Sequence, residues 1–194
     1  MLYFSKINHN DINNGIGVRV SIFFSGCSNH CKGCFQPETW NPTYGKEFNI
    51  EYLYEIFKQL KKDYISWITF LGGDPFYPDN VSEVCEIAKH CKYNFPNKTI
   101  WCYSGYTYEE LLQRKNKDNL KLLNLIDILV DGRFEEDKKD LKLQFRGSSN
   151  QRLIDVKKSM NYIGSELKIY HKNKIEDKTY ILTIKESNKD GYFD

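Results

Sequence analysis

The stretch Ile65-Ser66-Trp67-Ile68-Thr69-Phe70-Leu71-Gly72-Gly73-Asp74-Pro75 decides the fold class. Ile65 to Leu71 is a nearly continuous apolar run, as expected of a strand buried on both faces, and such strands belong to parallel sheets. The run stops at a glycine pair, a carboxylate and a proline, which punctuate the chain as a strand-to-loop switch. On either side the same unit recurs. Upstream, Val18 to Phe24 is a β-run of branched and aromatic residues. Asn49 then precedes a helical face of Ile50, Leu53, Phe57 and Leu60. Downstream, Asn80 and Glu83 have the spacing of a capping box before Val81, Val84, Cys85 and Ala88. Thr99 to Tyr103 is the next strand. Thr107 and Glu110 open another helix, Ile126 to Val130 is a fourth apolar run, and Arg152 to Val156 a weaker fifth.

This alternation predicts an α/β fold with a mostly parallel sheet and helices outside. A closed eight-stranded barrel takes about 250 residues. The chain has 194, so a partial, open (β/α) barrel is the better fit. Beyond about Ser159 the pattern changes. Leu167 to His171 and Thr179 to Ile184 have the pattern of a hairpin across Lys172 to Asp177, so 158–194 reads as a C-terminal extension packed on a domain spanning 1–157.

Composition excludes several function classes. Lys and Arg number 28 against 26 Asp and Glu, a formal charge of +2. No basic stripe stands out, which argues against a nucleic-acid partner. No apolar run is long enough to cross a bilayer, and the first residues lack the pattern of a signal peptide. The expected compartment is the cytoplasm, where thiols stay reduced. Six cysteines there point to metal or catalysis more than to disulfides.

Three of them fall in Cys27-Ser28-Asn29-His30-Cys31-Lys32-Gly33-Cys34, directly after the first strand. Iron–sulfur clusters are held by thiolates, usually four. Three leave one iron of a four-iron cluster open to a substrate. His30 inside the run makes zinc the competing structural reading, but zinc sites pair two such knuckles and no second one follows. Cys85 and Cys102 read as core residues and Cys91 as less defined. Active sites of parallel α/β folds gather at the carboxyl ends of strands. Here those ends carry the cysteine run, Gly72-Gly73-Asp74-Pro75, Ser104-Gly105-Tyr106 and Asp131-Gly132-Arg133, and the topology predicts that all four converge. The glycine pair with Asp74 suits the amine and carboxylate of a small zwitterion, against an ordinary strand-to-helix turn. Glu135 to Lys142 reads as a solvated charge run.

The cysteine run followed by Gly-Gly-Asp-Pro resembles the radical S-adenosylmethionine superfamily. Within it, the chain is similar to the family of activators of anaerobic (class III) ribonucleoside-triphosphate reductase. The matching segments are Asn14 to Arg19, Gly26 to Phe35, Trp40-Asn41, Gly72 to Pro75, Ile100 to Tyr106, Ile126 to Phe134 and Phe145 to Arg152, spanning residues 1 to about 157. The resemblance implies a radical S-adenosylmethionine domain with the partial-barrel architecture. It implies one [4Fe–4S] cluster on Cys27, Cys31 and Cys34, with S-adenosyl-L-methionine chelating the fourth iron. It implies reductive cleavage to a 5′-deoxyadenosyl radical, and a glycyl radical made on the reductase. It further implies that Gly72, Gly73 and Asp74 bind the methionine end, that backbone around Gly33, Cys34 and Phe35 lies against adenine, that Ser104 touches the ribose, and that Asp131 and Arg133 occupy an acid-and-base pair of positions. For Arg133 a surface ion pair is an equal alternative. Arg146 and Arg152 flank a Gly147-Ser148-Ser149 turn that either touches substrate or partner or is simply solvated. Many superfamily members carry an aromatic before the third cysteine; here Gly33 stands there, with Phe35 after it. Electron supply is expected from a flavodoxin- or ferredoxin-like donor. Two other readings remain: a radical S-adenosylmethionine enzyme acting on a small molecule, such as the deazapurine-forming enzymes, and a non-catalytic metal-binding or electron-carrier module.

Overall fold

Helix and strand alternate around one mixed sheet in the computed structural model, which describes residues 1–114 and 116–164. The strands are β1 (Tyr3–Asp11), β2 (Val18–Phe24), β3 (Lys46–Glu47), β4 (Ile65–Gly72), β5 (Thr99–Tyr103), β6 (Ile128–Asp131) and β7 (Arg152–Asp155). The helices are α1 (Ile50–Leu60), α2 (Val81–Asn94), α3 (Tyr108–Gln113), α4 (Lys117–Leu125) and α5 (Val156–Gly164). Sheet order is β3-β1-β2-β4-β5-β6-β7. The four middle strands are parallel. The flanks, β1 on β2, β3 on β1 and β7 on β6, are antiparallel.

The parallel centre and the unclosed sheet, with helices around it, match the expectation. The outermost strands, β3 and β7, do not pair with each other. Two strands escaped the sequence reading. β1 alternates polar and apolar residues weakly, and β3 is two exposed residues. The fifth run is β7, an antiparallel edge strand, which explains its weaker apolar character. The proposed hairpin and the proposed extension beyond residue 164 lie outside the described residues.

Local signals account for most helix starts. Asn49 accepts hydrogen bonds from the backbone N–H groups of Glu51 and Tyr52, capping α1, a contribution of about 1 kcal/mol. Thr107 and Glu110 complete a reciprocal capping box on α3. Asn80 differs: its side chain makes no cap and instead donates to the carbonyls of Ser25, at 2.7 Å, and Asp74, at 3.1 Å. That residue ties the loops after β2 and β4 together.

The main core lies between the sheet and its helices and contains Ile22, Phe24, Phe70, Ile87 and Leu122, with Cys85, Cys91 and Cys102. These three thiols are buried, and burial pushes Cys91 up to about 12 and Cys102 well above its ordinary range. They serve as core residues. A smaller cluster of Trp101, Ile128, Val130 and Leu153 carries Trp67, Tyr103 and Phe145 beside it. Arg19 is wholly buried next to these residues, with its guanidinium over Trp101 at 4.9 Å and Trp67 at 5.7 Å. It donates to the carbonyls of Asn14 and Ile16 and to Thr69, so part of the Asn14 to Arg19 segment is a structural anchor.

Candidate functional site

All four strand-end loops meet at one cavity of about 580 Å³, a size suited to a small-molecule ligand. The β2 loop contributes Cys27, Cys31, Cys34 and Phe35. The β4 end contributes Gly72 and Gly73, β5 contributes Ser104 and Gly105, and β6 contributes Gly132. Arg146 and Gly147 also line it. So do Asp140 and Leu141 of the charge run, and Glu135 to Lys142 are all exposed, as the solvated reading expects.

The three thiols are half-buried and free of disulfides. Burial pushes Cys27 and Cys31 up; Asp74 adds to the rise at Cys27, and Asn29 opposes it. At Cys31 the backbone of Phe134 and the charge of Arg133 oppose it. Binding iron would overcome this shift, since a coordinating thiol is deprotonated outright. His30 takes no part: it adopts a positive φ of 46° and lies against Trp40, ring centroids 4.7 Å apart. Among the described residues no three His, Cys, Asp or Glu side chains gather tightly enough for one bare ion. Three free thiols thus line one cavity, while the histidine of the run packs on Trp40.

The Gly72-Gly73 pair packs the β4 loop onto the cysteine loop. Gly72 has a φ of 108°, and an added Cβ would sit 2.5 Å from the carbonyl oxygen of Phe24; at Gly73 it would sit 2.6 Å from that of Gly26. Neither position accepts a side chain. The N–H groups of Gly73 and Asp74 donate to the same two carbonyls at 2.7 and 2.8 Å, so these amides are already committed within the protein.

Asp74 is wholly buried. Its carboxylate accepts from the N–H groups of Phe76 (2.9 Å) and Gly105 (3.0 Å), from Ser104 Oγ (3.0 Å) and from Asn29 Nδ2 (3.0 Å). No cation touches it, and burial raises it to about 6. Asp74 thus clasps the loops after β2, β4 and β5 and does not itself line the cavity. Ser104 lines the cavity, but its hydroxyl is donated to Asp74.

Gly33 stands off the cavity, with Glu136 over the place where a Cβ would be. Phe35 lies at the mouth, 65% exposed, against Phe134 at 5.1 Å, with the Lys139 ammonium 5.5 Å from its ring. An adjoining cavity of about 380 Å³ is lined by Asn29, Cys31, Asp131, Arg133 and Arg152 among others. There Asp131 is buried and bound to Arg152 at 2.5 and 3.0 Å and to the N–H of Tyr108 at 2.8 Å. Arg152 also holds Glu109 at 2.6 Å; these two carboxylates, Asp131 first, raise its already high pKa. The Gly147-Ser148-Ser149 turn is organised by Gln151, whose amide accepts from the N–H groups of Gly147 and Ser148 and donates to the carbonyl of Gly132. Arg146 donates to the Gln151 carbonyl.

The sequence reading passed over Asn29. Its side chain touches Cys27, Asp74 and Arg133. The available signal was its position between two of the three cysteines, but polar residues in loops are common and spacing alone gives no contact.

Comparison with known proteins adds independent support. Residues 13–154 match the family model for a 4Fe-4S single cluster domain. An anaerobic ribonucleoside-triphosphate reductase-activating protein of Enterobacteria phage T4 is 38% identical over 150 residues, covering 77% of this chain and 92% of the phage protein. Proteins of the same name from Pasteurella multocida (strain Pm70) and Escherichia coli (strain K12) are 39% identical over 147 and 38% over 143 residues. Each alignment covers 73% of this chain, and 89% and 90% of those proteins respectively.

Proposed function

The chain belongs to the family of anaerobic ribonucleoside-triphosphate reductase-activating proteins and carries a 4Fe-4S single cluster domain, and from that premise we propose that it is a radical S-adenosyl-L-methionine activase which installs a glycyl radical on its partner reductase. The observation that carries this reading is the meeting of three free thiols with the Gly72-Gly73 turn at one cavity. A [4Fe–4S] cluster held by Cys27, Cys31 and Cys34 would supply the single electron that cleaves S-adenosyl-L-methionine to methionine and a 5′-deoxyadenosyl radical, the species that abstracts hydrogen from a glycine Cα.

The protein's own groups bind, orient and exclude water. Gly72 and Gly73 line the cavity near the thiols, and their close packing on the cysteine loop holds the wall against which the methionine end would lie. Asp74 acts on that end from behind the wall, by fixing Asn29, Ser104 and Gly105. Phe35, packed at a tilt against Phe134, offers a face for adenine, with backbone of Gly33 and Cys34 beside it. Ser104 stands near enough to the cavity to meet a ribose. Asp131 holds Arg152 and the start of α3, setting the wall that carries Gly132 and Arg133. The partner's glycine loop would enter through the open mouth near Leu141 and Phe35, both exposed. A flavodoxin- or ferredoxin-like protein is the proposed electron donor, and the chemistry requires a reducing compartment such as the cytoplasm. Among the described residues no helix is long and apolar enough to cross a membrane.

Anaerobic reconstitution tests this reading. Four iron and four sulfide per chain, with 5′-deoxyadenosine released on reduction in the presence of S-adenosyl-L-methionine, are expected. Zinc alone in freshly purified anaerobic protein, with no deoxyadenosine formed, would overturn it.

A further inference from the structure

The Asn29 side chain joins a cysteine of the run to the loops after β4 and β6. Its Nδ2 lies 3.6 Å from Cys27 Sγ and 3.0 Å from Asp74 Oδ2, and its Oδ1 accepts from Arg133 Nε at 3.0 Å. The orientation of the amide follows from these partners. A carboxylate and a sulfur accept, and a guanidinium only donates. Turning the amide over would set its oxygen against Asp74 and its NH₂ against Arg133. The two contacts therefore hold an N–H toward the sulfur. Gly105 makes the arrangement possible: a Cβ there would lie 2.3 Å from Asn29 Nδ2.

We propose that Asn29 is a positioning residue that sets the reduction potential at Cys27, an inference resting on the cluster reading given above. A hydrogen bond donated to a ligating sulfur favours the electron-richer state, and such bonds are among the terms that set cluster potentials. Reduction adds negative charge next to Cys27, so the Asn29 N–H eases it. Asp74 and Arg133 act through Asn29 by fixing which of its atoms faces the sulfur. The loop after β2 is thereby read by the loops after β4 and β6, and movement in either alters how readily the site accepts an electron.

The test is a spectroelectrochemical titration of the reconstituted full-length protein, comparing wild type with Asn29→Ala and Asn29→Leu. Leucine nearly matches asparagine in shape, so it retains the packing if the alanine variant fails to fold. Both variants are expected to hold the cluster and to be reduced about tenfold less favourably, which is a shift of about 59 mV to more negative potential for one electron. His30→Asn is the control for loop mobility, since His30 lies in the same loop but rests on Trp40; its potential is expected to match wild type. An unchanged potential in both Asn29 variants, or an equal shift in His30→Asn, overturns the inference. Wild-type protein that assembles no four-iron cluster overturns the reading beneath it instead, so the two failures are distinguishable.

Discussion

Strands β4 and β6 each lead into a buried aspartate at the cavity side of the sheet, and the two are held in opposite ways. Asp74, after β4, accepts only from neutral donors: two backbone amides, a serine and an asparagine. Asp131, at the end of β6, is paired with Arg152, which also holds Glu109. Burial lifts Asp74 to about 6, although its neutral donors and the more remote charge of Arg114 pull the other way. The difference shows what each corner does. The Asp74 corner gathers three loops around the thiols and reaches Cys27 through Asn29. The Asp131 corner is an ion-paired brace that closes the β6–β7 edge and meets the thiols only at the second cavity, which Cys31 also lines. Two aspartates that look alike in sequence therefore bear on the thiols to different degrees.

Removing a thiol sets the upper limit against which both corners are measured. Cys31 lines both cavities, and Cys31→Ala is expected to reduce 5′-deoxyadenosine release to background in anaerobic assays. Retained release would remove the three-thiol site from the account. Next in size is Asp74→Ala. It strands the donors of Ser104, Gly105, Phe76 and Asn29 in a buried place, and unfolding free energy is expected to fall by roughly 3 kcal/mol in chemical denaturation. Cluster content after reconstitution should fall with it.

The lifted Asp74 gives the comparison a pH signature. A carboxyl whose folded pKa lies above its unfolded value, 3.8 rising to about 6, binds its proton more tightly when folded. Its stabilising contribution is complete below about pH 4 and is lost as pH rises through about 6. At 1.36 kcal/mol per unit, wild-type apoprotein should lose on the order of 2 to 3 kcal/mol relative to Asp74→Asn between pH 4 and pH 7. A flat difference would show that the corner holds its charge without cost. Smaller again is Asp131→Ala. Arg152 keeps Glu109 and is 29% exposed at its side chain, so the expected loss is about 2 kcal/mol, mainly from the Tyr108 amide and the broken pair. The loss of S-adenosyl-L-methionine cleavage should be smaller than for Asp74→Ala. A larger loss would reverse the assignment of the two corners.

The middle of the fold was legible because burial writes itself into sequence. A strand covered on both faces, such as Ile65 to Leu71, has no polar period to confuse it, and Asn49 and Thr107 announce helices by short-range chemistry. The flanks were not legible. β1 has one side exposed and a broken register, and β3 exists only because Leu2 and Phe4 lie beside it. At the site, cysteine spacing located the thiols, and loop convergence followed from topology. The actual jobs of Asp74, Ser104 and Asn80 did not follow, because each is set by partners remote along the chain: Asn29 with Asp74, Ser104 with Asp74, Asn80 with Ser25. Proximity of that kind is a product of the folded sheet, and no local pattern encodes it.

The most direct measurement is electron paramagnetic resonance of reduced, reconstituted protein with S-adenosyl-L-methionine, before and after addition of the anaerobic reductase. The account predicts a stable glycyl radical signal that appears only when the reductase is present and is lost with Cys31→Ala. Turnover of S-adenosyl-L-methionine with no glycyl radical on the added reductase would contradict it.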